Sequence, residues 1–253
     1  MPDRSHRAAR RLLTALAASA LFLTLAATPT FAADPRTGGG PSAIGTRVAV
    51  ERTRTVDLSR DSAIVRQYTN YWCVPASAQT MLNLVNGTSD RSYATQERLY
   101  REIRAANKYR YKTNGNDVRG WARVLTARLG PDRAYNDMSF GSRADAYARI
   151  VDAMDRTQRP VGIVVDKGTH AWTVVGFRVR ETVGDPGSRA ILGFYIVGPL
   201  GPGKDPWPKA YYTVDQLSMR FTRYHEWQMS VVWEGKYVVV APVTTTGAAS
   251  TGR

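Results

Sequence analysis

The sequence predicts an α+β domain in which a helical half precedes a β-rich half. Apolar residues recur at helical spacing from Cys73 to about residue 156. From Val161 onward, β-branched and aromatic runs bounded by Gly and Pro take over. Helices followed by strands imply one layer of each, meeting at a cleft. The domain is expected to span residues 46–243. Before it, residues 33–45 are rich in Gly and Pro and read as a flexible lead-in; after it, the small polar tail of residues 244–253 cannot pack. About 200 residues suffice for one domain with a real core, and no repeat at solenoid periods interrupts them. A monomer is expected.

The elements follow in order. Ala78, Met81, Leu82 and Val85 share one helical face behind Cys73, with Pro75 in the first turn and Gly87 just past the end. A second helix covers Tyr93 to Ala106. A third starts at Asp117, with Val118, Trp121, Ala122, Leu125 and Leu129 on one face, and a fourth runs from Arg143 to Arg156. Pro131 and Pro160 punctuate the last two. Strands are expected in VGIVVD from Val161, HAWTVVGFRVR from His170, ILGFYIVG from Ile191 and KYVVVAP from Lys236. Thr213 and Gln216 form a capping box that opens a short helix through Phe221.

The N-terminus reads as an export leader. Arg4, Arg7, Arg10 and Arg11 precede an uncharged apolar run from Leu12 to Ala27, and Thr30-Phe31-Ala32 offers a cleavage site after Ala32. Residues 1–32 are therefore read as a signal peptide and the protein as secreted, with the export route left open. The run is shorter than the roughly 20 apolar residues a spanning helix needs, and no later segment replaces it. Removal of the leader takes away four basic residues and one acidic one and leaves a formal charge of +11, against +14 for the whole chain. The basic residues are scattered and accompany no nucleic-acid motif, so specific nucleic-acid binding is not expected. Attraction to an anionic cell surface accounts for the charge.

Against this background the cysteine count is informative. An exported protein normally pairs its cysteines as disulfides, yet Cys73, in QYTNYWCVPASAQTML, is alone. A thiol at a helix N-terminus beside an imidazolium ionises readily, its pKa dropping from about 8.5 to roughly 3.5–7.5. Cys73 is thus a candidate nucleophile. The mature chain holds two histidines. His170, in GTHAW at the start of a strand, is the candidate general base and acid, whereas His225 in RYHEW reads as a hydrogen-bonded or surface residue. One Cys and two His do not make a four-ligand zinc set, and no metal or other cofactor is expected. Trp72 and Trp172 each lie within two residues of a candidate catalytic group and are the candidate substrate-binding aromatics.

Gln67 six positions before the cysteine, a helix opening CVPAS, and GTHAWTVVGF far downstream together resemble papain-like cysteine peptidases, in the bacterial branch similar to bacteriocin-leader-processing peptidases. The likeness spans Gln67 to Gly201. It implies a papain-like fold, with the helical half carrying the Cys packed against an antiparallel β half carrying the His. It also implies that Gln67 and the Cys73 amide stabilise a tetrahedral oxyanion, a contribution of about 2.7–4 kcal/mol per donor. The expected activity is cleavage of a peptide or amide bond, with a peptide or a cell-wall peptide as substrate. The same residues would serve an acyl transferase.

One position departs from the pattern. The next strand in that family ends in an Asp or Asn that orients the His, and the matching residue here is Gly198. Loss of the orienting acid in a Ser-His-Asp triad lowers turnover about ten-thousandfold. Three groups are candidates to hold the ring instead: Asp205 in the loop GKDPWP, a backbone carbonyl, or a water. If none does, the chain is a binding module that kept the fold without turnover.

Overall fold

A computed structural model describes residues 49–243, apart from Gln228. The segments read as leader, lead-in and tail lie outside the described residues. In chain order the elements are β1 (Glu51–Asp57), α1 (Cys73–Asn86), α2 (Tyr93–Ala106), α3 (Val118–Leu129), β2 (Tyr135–Phe140), α4 (Arg143–Thr157), β3 (Val161–Val165), β4 (His170–Thr182), β5 (Asp185–Val197), β6 (Ala210–Thr213), α5 (Val214–Ser218) and β7 (Tyr237–Pro242). No helix among the described residues is long and apolar enough to cross a membrane.

Local chemistry fixes the helix boundaries. The side chains of Ser92, Asp117 and Ser142 cap α2, α3 and α4 by accepting the N–H of Thr95, Gly120 and Asp145. Thr213 and Gln216 complete the capping box of α5. Helix α1 ends on Gly87 in the left-handed region, φ 69°, where a glycine carries no Cβ penalty. Its other end has no side-chain cap, since Trp72 precedes it. The first-turn amides around Cys73 are therefore not consumed by a capping side chain.

The seven strands form one antiparallel sheet in the order β2-β7-β3-β4-β5-β6, with β1 paired to the far half of β4. Period-two alternation gives it two buried faces. Val164, Ala171, Val238 and Val240 face α1, α2 and α3, whereas Ile163, Val165, Trp172, Val174 and Val239 face α4 and α5. The expectation of a single helical layer is thus corrected. Helix α4 carries its own apolar stripe, Ala146, Ile150, Val151, Ala153 and Met154, and buries it on the opposite face. The helices-then-strands order also gives way, because β1 and β2 come from the first half of the chain and complete the sheet.

The two halves lock through close contacts. A Cβ on Gly162 of β3 would sit 2.3 Å from the Trp121 ring of α3, so only glycine lets this fully buried indole lie flat on the sheet. Truncating such a ring costs on the order of 3–5 kcal/mol. Helix α1 is buried along most of its length, where its small residues Ala76, Ser77 and Ala78 permit close approach. Ser77 Oγ donates to Ala171 O at 3.4 Å, tying the first turn of α1 to the start of β4. That link sets the N-terminus of the cysteine helix against the first residues of the histidine strand.

Candidate active site

Cys73 is the first residue of α1 and His170 the first of β4. Both line one cleft, and the Cys73 side chain is near enough to the ring to raise the affinity of His170 for a proton. His170 Nε2 lies 2.8 Å from Asp205 Oδ2, which leaves Nδ1 free of that bond. The Asp205 side chain is completely buried and that of His170 is 11% exposed. Asp205 also accepts Trp172 Nε1–H at 3.0 Å and the Leu200 amide at 2.8 Å. Burial raises its affinity for a proton, but the bonds from His170, Leu200 and Trp172 outweigh this and hold the carboxyl below its ordinary range. Burial likewise disfavours a charged His170; the Asp205 carboxylate and the Cys73 side chain overcome it and push the imidazole up to about 9.

The carboxylate reaches the ring from seven positions beyond Gly198 because the intervening loop folds back on itself. The Gly198 amide donates to Pro206 O at 2.9 Å and the Asp205 amide to Gly201 O at 3.1 Å, with Gly201 at φ 84° making the turn. Gly198 itself is needed for space. A Cβ there would lie 2.5 Å from both Cβ and Cγ of Asp205 and 2.7 Å from Oδ2. The loop acid fills the volume that a side chain at the strand end would otherwise occupy.

A second set of residues, not foreseen from sequence, aims the histidine. Asp166 and Lys167, just before it, adopt left-handed φ angles of 53° and 59°, which cost energy for residues with a Cβ. Arg220 grips Asp166 with two hydrogen bonds of 2.6 Å, and the Lys167 amide donates to Thr222 Oγ1 at 2.8 Å. The same guanidinium lies 4.7 Å over the Trp172 ring. Arg220 therefore touches both the turn that carries His170 and the indole that holds Asp205. On the other side, Gln96, fully buried in α2, accepts the Tyr68 amide at 2.8 Å and donates to Arg66 O at 3.0 Å, fixing the backbone on either side of Gln67.

The remaining candidates fall as follows. Gln67 donates its amide to Thr69 O at 2.6 Å, and its own backbone N–H to Pro199 O at 2.8 Å. Trp72 is only 3% exposed and stacks on Tyr100 at 5.5 Å. Trp172 is fully buried. Neither indole belongs to the wall of the cleft at Cys73, which corrects their reading as a substrate surface. Adjacency in sequence places an aromatic near the site, but the strand and helix starts turn these two inward. His225 is half-exposed and bonds Glu234 at 2.7 Å. No group of three or more metal-ligating side chains occurs among the described residues.

The cleft holds about 230 Å³, and Cys73, His170, Asn70, Tyr71 and residues 113–118 are among its lining. Asp117 at its floor is no free acid: it accepts the amides of Lys108, Tyr109 and Gly120. The wall mixes apolar and polar residues and contains no Lys or Arg, with the thiol and imidazole as its reactive groups.

No curated protein matches the chain. A family model described as the Peptidase_C39 like family matches residues 60–214, more than half of the chain. That stretch begins before Gln67, ends after Asp205, and includes the cysteine helix, the histidine strand and the loop that returns the carboxylate. The chain belongs to the Peptidase_C39 like family.

Proposed function

We propose that the protein is an exported cysteine peptidase or amidase that cleaves a peptide or amide bond through an acyl-enzyme on Cys73. The observation that carries this reading is a His170 ring that shares a cleft with Cys73 and bonds a buried Asp205 carboxylate 2.8 Å from Nε2. The Cys73 thiolate adds to the carbonyl carbon, and the C=O electron pair moves to oxygen. The oxyanion meets the Cys73 amide at the uncapped start of α1, and Gln67 becomes the second donor when its side chain turns from Thr69 O. Collapse breaks the C–N bond, and the leaving nitrogen takes the proton from His170. His170 then removes a proton from water, hydroxide adds to the thioester, and the acid product leaves with the thiolate restored. Throughout, Asp205 keeps the ring oriented and balances the imidazolium charge.

Gly198 was the argument for a binding module without turnover, and the Asp205 carboxylate supplies what that position lacks. The leader of residues 1–32 supports export, and the charge of +11 after its removal supports action at an anionic cell surface, where a cell-wall peptide is within reach. The test is to incubate the exported protein with a proteome-derived peptide library and read new termini by mass spectrometry. New termini that vanish in Cys73→Ala and His170→Ala support the reading; identical products from the Cys73→Ala protein would remove it.

A further inference from the structure

We propose that the cavity beside Gln67 is a carboxylate-binding subsite in which Arg66 and Arg91 hold an anionic group of the peptide substrate. The proposal rests on the hydrolase reading above and names the substrate class. The cavity, of about 380 Å³, has the two arginines and Gln67 at its wall, with Ile64, Val65, Tyr68 and Trp207 as apolar lining. It adjoins the reactive groups. The Gln67 amide bonds Pro199, Trp207 follows Asp205 by two residues, and Arg66 Nη2 donates to Leu200 O, whose residue's own amide bonds Asp205. Gln67 and Tyr68 line this cavity, and Asn70, Tyr71 and Cys73, a few residues further on, line the cleft that contains the thiol. On this proposal a peptide laid across Cys73 has one flank in the cleft and the other in this cavity.

The chemistry of the cavity is one-sided. No carboxylate lines it, and neither arginine has an ion pair among the described residues. Arg66 makes a single long bond of 3.4 Å to Leu200 O, yet it is seated, because a Cβ on Gly201 would lie 2.3 Å from its Nε. Arg91 is anchored along one edge, with Nε 3.1 Å from Ser62 O and Nη2 on Asp61 O, so Nη1 keeps its N–H groups for a ligand. Two arginines at the wall of one cavity match a carboxylate, which takes paired N–H donors from Arg in a fixed plane. Tyr68, half exposed, and Trp207 offer apolar faces for the methylene stem of an acidic side chain. The wall at Cys73 has no Lys or Arg, in contrast with this cavity, so the preference is expected on one side of the scissile bond and absent on the other.

Two sources present that group, a Glu or Asp side chain or the substrate's own terminal carboxylate, and the test separates them. Pools of hexapeptides with Glu, Gln or Lys fixed at one position, each with a free or an amidated C-terminus, are bound to the full-length Cys73→Ala protein and retained peptides counted by mass spectrometry. Turnover is not needed, so loss of the hydrolase reading and loss of the subsite are distinguishable. Glu pools should be retained about tenfold over Gln pools and further over Lys pools, with the ratio falling as salt rises. Enrichment of the free over the amidated C-terminus, with no Glu preference, assigns the terminal carboxylate instead. The Arg66→Gln/Arg91→Gln variant should lose the preference; Arg66→Gln alone, at an exposed position with one long bond, should reduce it if the double variant does not fold. Equal retention of Glu, Gln and Lys pools with either terminus, or a preference unchanged in Arg66→Gln, overturns the proposal.

Discussion

Gly198→Ala adds one methyl group and is expected to disable the site. Its Cβ would stand 2.5 Å from Cβ and Cγ of Asp205, where carbon atoms normally keep about 3.5 Å. The carboxylate must retreat by about 1 Å. The 2.8 Å contact with His170 then opens to nearly 4 Å, beyond the range of a hydrogen bond, and the 3.0 Å bond from Trp172 is strained with it. A misplacement of this size typically costs about a hundredfold in rate, approaching ten-thousandfold if the imidazole loses its orientation altogether. The folding cost of overpacking is about 1–3 kcal/mol, and the backbone at Gly198 is not in the left-handed region, so the variant should fold. The assay is kcat/KM on any peptide the wild type cleaves, alongside thermal unfolding. A folded Gly198→Ala protein with wild-type kcat/KM would refute the space argument.

Removing the acid should be as damaging and, unlike the methyl, repairable. Asp205→Ala is expected to lower kcat by two to four orders of magnitude, and Gly198→Asp added to it should restore part of the rate, whereas Gly198→Asp alone should fail by the same clash; steady-state kinetics on the four proteins checks this. Because Asp205 and Cys73 raise His170 to about 9 from an ordinary 6.5, activity should fall as pH rises through about 9, where the ring loses the proton it gives to the leaving group. The stability gained from that raised value is present in full below about pH 6.5 and is lost through about pH 9. Asp205→Asn should move the alkaline limb of the pH–rate profile to lower pH. Arg220→Ala should reduce kcat about tenfold or more with little change in KM, since it releases the Asp166 turn and the Trp172 ring without touching substrate; stopped assays across substrate concentration separate the two constants. Gln96→Leu strips the Tyr68 amide and the Arg66 carbonyl of their buried partner and should cost about 1–3 kcal/mol in thermal unfolding.

Much of this architecture was legible because several signals agreed locally. The four long helices carry their apolar stripes in the sequence, three of them with a capping side chain at the start, and Tyr93–Ala106 matches the spacing end to end. The strands from Val161, His170 and Ile191 and the last run, where the strand begins at Tyr237, are fully or half-buried and therefore apolar enough to read. Strand β1, ERTRTVD, was not legible. It is an edge strand whose side chains are mostly exposed, so its composition resembles a loop. Strand β2, YNDMSF, is held by backbone pairing to β7 more than by apolar alternation, and β6 has four residues. At the site, Cys73 and His170 were findable from the helix start and strand start. The return of Asp205 depends on a folded-back loop closed by the Gly198–Pro206 bond, which no local pattern encodes. Arg220 and Gln96 act through partners 54 and about 30 residues away, so their roles exist only in three dimensions. Trp72 and Trp172 show the converse error, since closeness in sequence to a reactive residue does not decide which way a side chain faces.

The central claim, a Cys73 thiol activated by His170, is tested most directly by the rate at which iodoacetamide alkylates the native protein, read by intact mass at neutral pH. This needs no knowledge of the substrate. The account predicts a single adduct on Cys73 in the folded protein, formed at least about tenfold faster than in folded His170→Ala. Alkylation of Cys73 that appears only after unfolding, or a rate unchanged by His170→Ala, would contradict it.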